Sequence, residues 1–492
     1  MLLVLIFAIL AALSIITFAT GRHAAMYSLV SSFLIMLLTA YYYGIHYANY
    51  NGGTVGSYGL VLNSTQGISF SVGVNGLTLP LVLAASIVFT LAVFLAQRES
   101  YDRTFYGLVM LSETGLYGVL ISRDFIFFYI FWEVVLVPVF FLINLYGTHR
   151  RESVSLKFFV YTHIGSVFIL LSIFSLYAYY FAYTGGKFSM EISSLTSQAF
   201  LNQIPLFWIT FITAGLMIGF LVKLPIFPIH SWLPDTYESA PYPVTVIVAG
   251  GLSMMGGYGL FGIMLPMAGV FSAGSMWIVI FLSLISLVYF SLTAMYQVSM
   301  KRMMAYASAA SMGFVTLAFA AGILESGSAD STIAFSGGMF QIFAHSLIIA
   351  FLFACLFFIL KSTGSDSVLG LGGIHREVPL LSSLTLGGLL ASLGLPGLAG
   401  FIGEFSILGG TFQAITYLIF VVIFSMIVTA SYHVWVAQRT LYGPYNENLG
   451  MIRDLNGREF AVLGLLLAFL LFAGVFPAFF FNMFSSFVGG IT

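Results

Sequence analysis

LFWITFITAGLMIGFLVKLPIFPIHSWLP, residues 206–234, is the stretch on which the reading of this chain turns. Its first half is apolar for long enough to cross a bilayer as a helix. Lys223 closes the run, and Pro225 and Pro228 follow. A proline has no N–H and its ring crowds the preceding turn, so the helix must break here. A break inside lipid frees carbonyls, and free carbonyls tolerate a cation. The plain alternative is a lysine snorkelling from a helix end. A broken helix at an ion site is the recurring transporter device.

A second stretch repeats the pattern. In ASLGLPGLAGFIGEFSILGG, residues 391–410, a proline and glycines interrupt an apolar run, and Glu404 stands beside the interruption. Both stretches belong to a chain of 492 residues that is 60% apolar and only 7% charged. About a quarter charged is usual for a soluble protein, so lipid is the expected solvent for most of this surface. The net charge of -1 gives no basic field for nucleic acid. The single cysteine, Cys355, excludes an internal disulfide and any cysteine-built metal or iron–sulfur site. Phosphate-binding loops, dinucleotide fingerprints and histidine pairs for haem are absent from the sequence. The energy source is therefore expected to be an ion gradient or a partner subunit.

Apolar runs of spanning length recur near 2–20, 27–47, 78–97, 104–121, 124–146, 157–183, 204–224, 241–262, 274–297, 302–322, 333–360, 379–408, 412–438 and 460–486, numbered here as spans 1 to 14. Span 1 lacks a basic leader and reads as a helix, not a cleavable signal. Alternating the loops puts thirteen of the sixteen Lys and Arg residues on one side, from Arg22 to Arg458, with Arg123 and Lys187 on the other and Lys223 inside a span. The positive-inside rule makes the rich side cytoplasmic and both termini extracytoplasmic.

An ionisable group in mid-membrane costs roughly 2.5–3.5 kcal/mol, so one that is kept there is a functional candidate. Glu133 lies deep in span 5 and is too short to snorkel. Glu113 lies mid-span in span 4, with a structural hydrogen bond as the alternative. His345 in span 11 suits a proton relay because histidine titrates near neutral pH. His163 in span 6, His230 after the span 7 break and His433 in span 13 are weaker, since each also reads as a satisfied core or capping residue. Lys301 and Arg302 open span 10, where positive-inside anchoring accounts for them.

The two broken spans, 7 and 12, are five apart. A five-span repeat, spans 4–8 and 9–13, would bring Lys223 and Glu404 into correspondence, and an odd number inverts the copies. The expected fold is thus an all-α integral membrane protein of about fourteen helices with two inverted five-helix repeats. Its parts are 1–103 (spans 1–3), 104–262 (first repeat), 274–438 (second repeat) and 439–492 (a loop and span 14).

FYIFWEVVLVPVFFLI (128–143), VKLPIFPIHSWLPDTYESAP (222–241), KRMMAYASAASMGF (301–314), QIFAHSL (341–347) and LGLPGLAGFIGEF (393–405), with DLNGRE and GVFP beyond them, resemble the antiporter-like subunits of respiratory complex I and their Mrp antiporter relatives. Most paralogues carry a lysine where this chain has Glu404. The glutamate, the WE of span 5 and the end after span 14 resemble the M-type (NuoM-like) subunit. The resemblance implies a Glu133–Lys223 charge pair and a relay through His345 to Glu404, with Lys301 matching a family lysine. It also implies L-type and N-type neighbours, with iron–sulfur clusters, flavin and quinone held by partner subunits and none in this chain. A prokaryotic plasma membrane or another energy-transducing membrane is the implied location.

Two positions depart from the family pattern. Met254 stands where span 8 has a lysine, and Ser311 where span 10 has a histidine. Ser253, Tyr258 and Ser311 are candidates to bridge that gap with water. The resemblance implies a proton-translocating subunit of a quinone oxidoreductase fed by NADH or another donor. The alternatives are a subunit of an Mrp-type Na+/H+ antiporter or membrane-bound hydrogenase, and a structural subunit without transport, which Met254 favours.

Overall fold

The structure, a computed structural model, describes residues 1–47, 50, 52–450 and 452–491. Each apolar run above holds helix. Spans 1 to 6 are Leu2–Thr17, Ala24–Tyr47, Thr78–Ala96, Arg103–Ile121, Phe125–Tyr146 and Arg151–Tyr183. Span 7 is Leu206–Lys223, followed after its break by Trp232–Ser239. Spans 8 to 11 are Tyr242–Val270, Ala273–Met295, Met300–Leu324 and Ala329–Thr363. Span 12 is two helices, Pro379–Ser392 and Ala399–Thr411. Span 13 is Ile419–Tyr442, and span 14 is Gly457–Val475 with Ala478–Gly489 after it. Among the described residues twelve helices are long and apolar enough to cross a membrane. Leu2–Thr17, Pro379–Ser392 and Ala478–Gly489 are shorter apolar helices.

Lipid offers no hydrogen bonds, so the interior of each span pairs its own backbone. Side-chain caps serve the ends. Asp102, Asp124, Ser272, Ser299 and Ser328 each accept from a first-turn N–H at spans 4, 5, 9, 10 and 11. Asn456 and Glu459 form a capping box at span 14. Spans 3, 4, 8, 10 and 11 are mostly buried and form the centre, whereas spans 2, 5, 6, 13 and 14 turn side chains such as Leu34, Phe141, Leu171, Phe424 and Leu465 outward. Small residues set the close contacts, as they do where lipid removes the hydrophobic drive between helices. Gly219 of span 7 faces span 6 so tightly that a Cβ there would fall 2.7 Å from the Gly165 carbonyl oxygen. Ser172 of span 6 donates to Ile212 O of span 7 at 2.9 Å.

The all-helical expectation gains one addition. Strands β1 (Val55–Asn63) and β2 (Ile68–Val74) form an antiparallel hairpin between spans 2 and 3. The hairpin fastens the loops of the Arg/Lys-poor face: Arg123 N donates to Ser71 O and Met190 N to Gly67 O. Ser69 N donates to the Asp124 carboxylate at 3.1 Å. Burial pushes the Asp124 carboxyl up, against the opposing pull of the Ser69 and Ile126 amides.

Span 8 is not a plain α-helix. Two π turns, Val248–Leu252 and Gly259–Met264, flank the α-helical turns Ser253–Tyr258 that carry Met254. Span 8 approaches the end of span 7 closely, and a Cβ at Gly256 would lie 3.2 Å from the Lys223 Cβ.

Candidate proton-transfer axis

The span 7 break is built from its prolines and repaired by its neighbours. Helix ends at Lys223, and the freed Val222 carbonyl accepts from the Trp232 indole N–H at 3.1 Å. Phe227 N donates to Ser286 Oγ of span 9 at 2.9 Å. Lys223 is only 2% exposed, and among the described residues its ammonium has no hydrogen-bond partner. It sits over the rings of Trp132 and Phe158 at 5.6 and 5.9 Å, within electrostatic reach of Glu133.

Glu133 takes its hydrogen bond elsewhere. Its Oε2 lies 3.3 Å from His163 Nδ1 of span 6, and its Oε1 has no partner among the described residues. These two side chains lie on the outer wall, 24% and 45% exposed. The structure therefore joins two residues that sequence reasoning treated separately, and it leaves Lys223 beside the acid without a direct bond.

His345 is buried in span 11, and its Nε2 lies 2.9 Å from Ser308 Oγ of span 10. Tyr237, in the segment after the span 7 break, brings its hydroxyl within 3.5 Å of Ser308. Neither Ser308 nor Tyr237 was singled out in the sequence. One helical turn from His345, the buried Gln341 holds an Oε1 with no partner among the described residues and packs on Gly403, next to Glu404. Glu404 is buried, has no hydrogen-bond partner among the described residues, and lies within electrostatic reach of Tyr432. Its carboxylate turns back onto the break: a Cβ at Gly394 would fall 2.7 Å from Glu404 Oε2. Gly394 also has φ +78°, which only glycine adopts freely.

None of the three expected bridging hydroxyls bonds Lys223 or His345 directly. Ser253 donates to Ala249 O and Ser311 to Ala307 O, each within its own helix, and Tyr258 donates to Ser122 O at 3.5 Å. Met254 and Met255 are fully buried. Lys301 lies in the first turn of span 10, where its ammonium donates to Ala240 O at 2.7 Å and rests 4.1 Å over the Tyr242 ring.

The remaining candidates lie apart from this row. Glu113 accepts from Ser32 Oγ of span 2 at 2.9 Å, and one turn on Tyr117 bonds Thr39 at 2.9 Å. His230 packs edge-on against Phe290 with its Nδ1 unpartnered among the described residues. His433 spends Nδ1 on Thr429 O at 2.8 Å.

Two broken spans with a buried charge beside each, in a bundle of apolar helices, give a polytopic membrane protein the broken-helix architecture that ion transporters use. Residues 122–429 match the family described as NADH:quinone oxidoreductase/Mrp antiporter, TM, and the chain belongs to that family. It is 38% identical over 416 residues to F420H2 dehydrogenase subunit M of Methanosarcina mazei, covering 84% of this chain and 82% of that one. It is 32% identical over 422 residues to NADH-quinone oxidoreductase subunit M of Rickettsia conorii, covering 85% and 82%. A chain of the respiratory complex I from Thermus thermophilus with bound NADH superposes with a TM-score of 0.87 at 25% identity, over all of both chains. A chain of the Mrp complex from Dietzia sp. DQ12-45-1b shares the fold, with a TM-score of 0.84 at 17% identity over 100% and 97% of the two chains.

Proposed function

We propose that this chain is the M-type membrane-arm subunit of a complex I-like quinone oxidoreductase and carries protons across the membrane. The observation that supports this most directly is the pair of breaks, each with a buried ionisable group beside it: Lys223 at one and Glu404 at the other. Glu133 with His163, then Lys223, His345 with Ser308, and Glu404 are the proton-bearing groups of the reading. Redox chemistry belongs to partner subunits holding flavin, iron–sulfur clusters and quinone. The relatives are named for F420H2 and for NADH, so the scaffold serves more than one donor. The partly exposed Glu133–His163 pair on an apolar outer wall fits a neighbouring L-type or N-type subunit.

The same reading takes spans 4–8 and 9–13 as inverted repeats within fourteen crossings, with both termini on the Arg/Lys-poor side of a prokaryotic energy-transducing membrane. An Ile491→Cys variant in a Cys355→Ser background is expected to react with an impermeant thiol reagent from that side alone. Reaction from the Arg/Lys-rich side would overturn the orientation.

One observation favours a second reading, a structural subunit without transport. Met254 and Met255 stand in span 8, and no hydrogen bond among the described residues links Lys223 to His345. Proton pumping per electron by the purified complex in liposomes decides between the two. A Glu404→Gln complex that assembles and pumps like wild type would leave only the structural reading.

A further inference from the structure

A cavity of about 540 Å3 opens among the loops that follow spans 3, 5, 7, 9 and 11, all on the Arg/Lys-rich face. Glu99, His149, Glu238 and Asp366 stand in its wall, and Tyr242 and Lys301 form its inner end. Tyr242 bonds Asp366 at 3.4 Å, and Lys301 lies over the Tyr242 ring. The Lys301 ammonium holds the carbonyls of Glu238 and Ala240, at 3.5 and 2.7 Å, which end the segment Trp232–Ser239. That segment carries Tyr237, whose hydroxyl meets Ser308, and Ser308 meets His345 Nε2. Lys301 and Ser308 are two turns apart on span 10, about 10 Å along the axis at 1.5 Å per residue.

We infer that this cavity is a proton inlet that feeds His345 directly, by way of Lys301, Tyr237 and Ser308, without crossing Met254. The inference rests on the proton-carrying reading and adds to it where the protons enter. The cavity wall is polar, with Glu99 paired with Lys361 at 3.7 Å and Glu238 with Arg302 at 2.7 Å, so water is expected to fill it. The Lys301 ammonium gives a proton inward, and the amine is reprotonated from cavity water. A chain of about three bridging waters, with links of about 2.8 Å, carries the proton over the two helical turns to the hydroxyls of Tyr237 and Ser308. Ser308 then donates to His345 and is restored from Tyr237, so each hydroxyl ends the step as it began. The inlet explains why span 8 tolerates a methionine: the path into the second half of the molecule lies along span 10.

The test uses the whole complex in liposomes, in a Cys355→Ser background, with protons pumped per electron as the readout. Leu360→Cys puts a thiol in the cavity wall. A charged, impermeant thiosulfonate added on the Arg/Lys-rich side is expected to react with it and cut proton transfer about a hundredfold, the scale of a lost proton-transfer partner, while Cys355→Ser alone is unaffected. Ser308→Ala is expected to have a similar effect without reagent, and Met254→Ala to pump as wild type. Glu404→Gln serves as the control on the function itself. If Glu404→Gln stops pumping while labelled Leu360→Cys and Ser308→Ala both pump normally, the inlet is wrong and the function stands. If Glu404→Gln pumps normally, the proton-carrying reading fails and the inlet with it.

Discussion

Lys223 and Glu404 each stand beside a break, but their surroundings are built in different ways. After the span 7 break, the short helix Trp232–Ser239 is tied on every side. Asp235 pairs with Lys157 at 2.7 Å and Arg302 at 3.2 Å, Glu238 pairs with Arg302 at 2.7 Å, and Lys301 caps the helix end. Trp232 and Ser286 satisfy the backbone at the break itself. At the span 12 break, by contrast, backbone shape does the work. Gly394 and Gly397 take positive φ, and Leu395 N reaches back to Leu390 O at 3.0 Å. Nothing among the described residues bonds the Glu404 side chain. Redundant polar ties thus hold one break, and two glycines hold the other. The first is expected to tolerate loss of any single tie, and the second to be sensitive to single substitutions.

The largest effect is expected for Glu404→Gln. The amide keeps the size of the carboxyl and removes its proton exchange, and among the described residues no second acid or histidine bonds to it. Loss of a positioned acid or base typically costs about a hundredfold or more in proton-transfer rate. Pumping per electron in liposomes checks this, with subunit stoichiometry confirming assembly.

Glu133→Gln tests the other break and is expected to lower pumping strongly with assembly intact. Among the described residues Lys223 is buried without a hydrogen bond, and Glu133 is the opposite charge within its reach, so removing the acid's charge strands the ammonium. His163 keeps a hydrogen bond to the amide, so the fold survives. Pumping at the wild-type ratio in an assembled Glu133→Gln complex would remove Glu133 from the axis.

How much of this was legible in the sequence depends on which physics set each feature. The spans were readable because lipid forces every backbone group to pair within its own helix. Their breaks were readable because prolines stand with a second proline or with glycines there, at Pro225 and Pro228 and at Gly394, Pro396 and Gly397, whereas the lone Pro138 leaves span 5 unbroken. Lys223 and Glu404 stood out as charges in apolar runs. The partner of a buried group was not readable, because it depends on how two helices are rotated against each other. Ser311 drew notice as the family histidine position, yet it faces its own Ala307 carbonyl. Ser308, one turn earlier, is the residue that meets His345. His163 likewise becomes Glu133's partner only once spans 5 and 6 are packed. The hairpin too has a signal in the sequence, two β-rich runs either side of Asn63–Gly67, each too short to cross a bilayer.

Gly394→Ala sharpens the comparison at intermediate size. At φ +78° an alanine costs about 1 kcal/mol or more from backbone strain alone. Its Cβ would also press on Glu404 Oε2 from 2.7 Å. A severalfold fall in pumping with a modest loss of thermal stability is the expected result. Unchanged pumping would mean that the position of the Glu404 carboxylate is not critical.

The smallest effect is expected for Asp235→Asn, and its smallness is the point. The substitution removes the ion pairs to Lys157 and Arg302 in one step. Arg302 keeps Glu238, and the helix end keeps Lys301. The Asp235 carboxylate is about a third exposed, so water and salt already screen it. Exposed pairs contribute about 0–1 kcal/mol, and the remaining ties share the load. The thermal midpoint of the purified complex should therefore move little, and pumping should stay near wild type. If Asp235→Asn instead stopped pumping as Glu404→Gln does, the ion-pair strap would have to be counted among the proton-bearing groups. The contrast between a tied break and a shaped one would then lose its meaning. A small shift that grows at low ionic strength, where surface pairs count for more, would support the strap as a redundant mechanical tie.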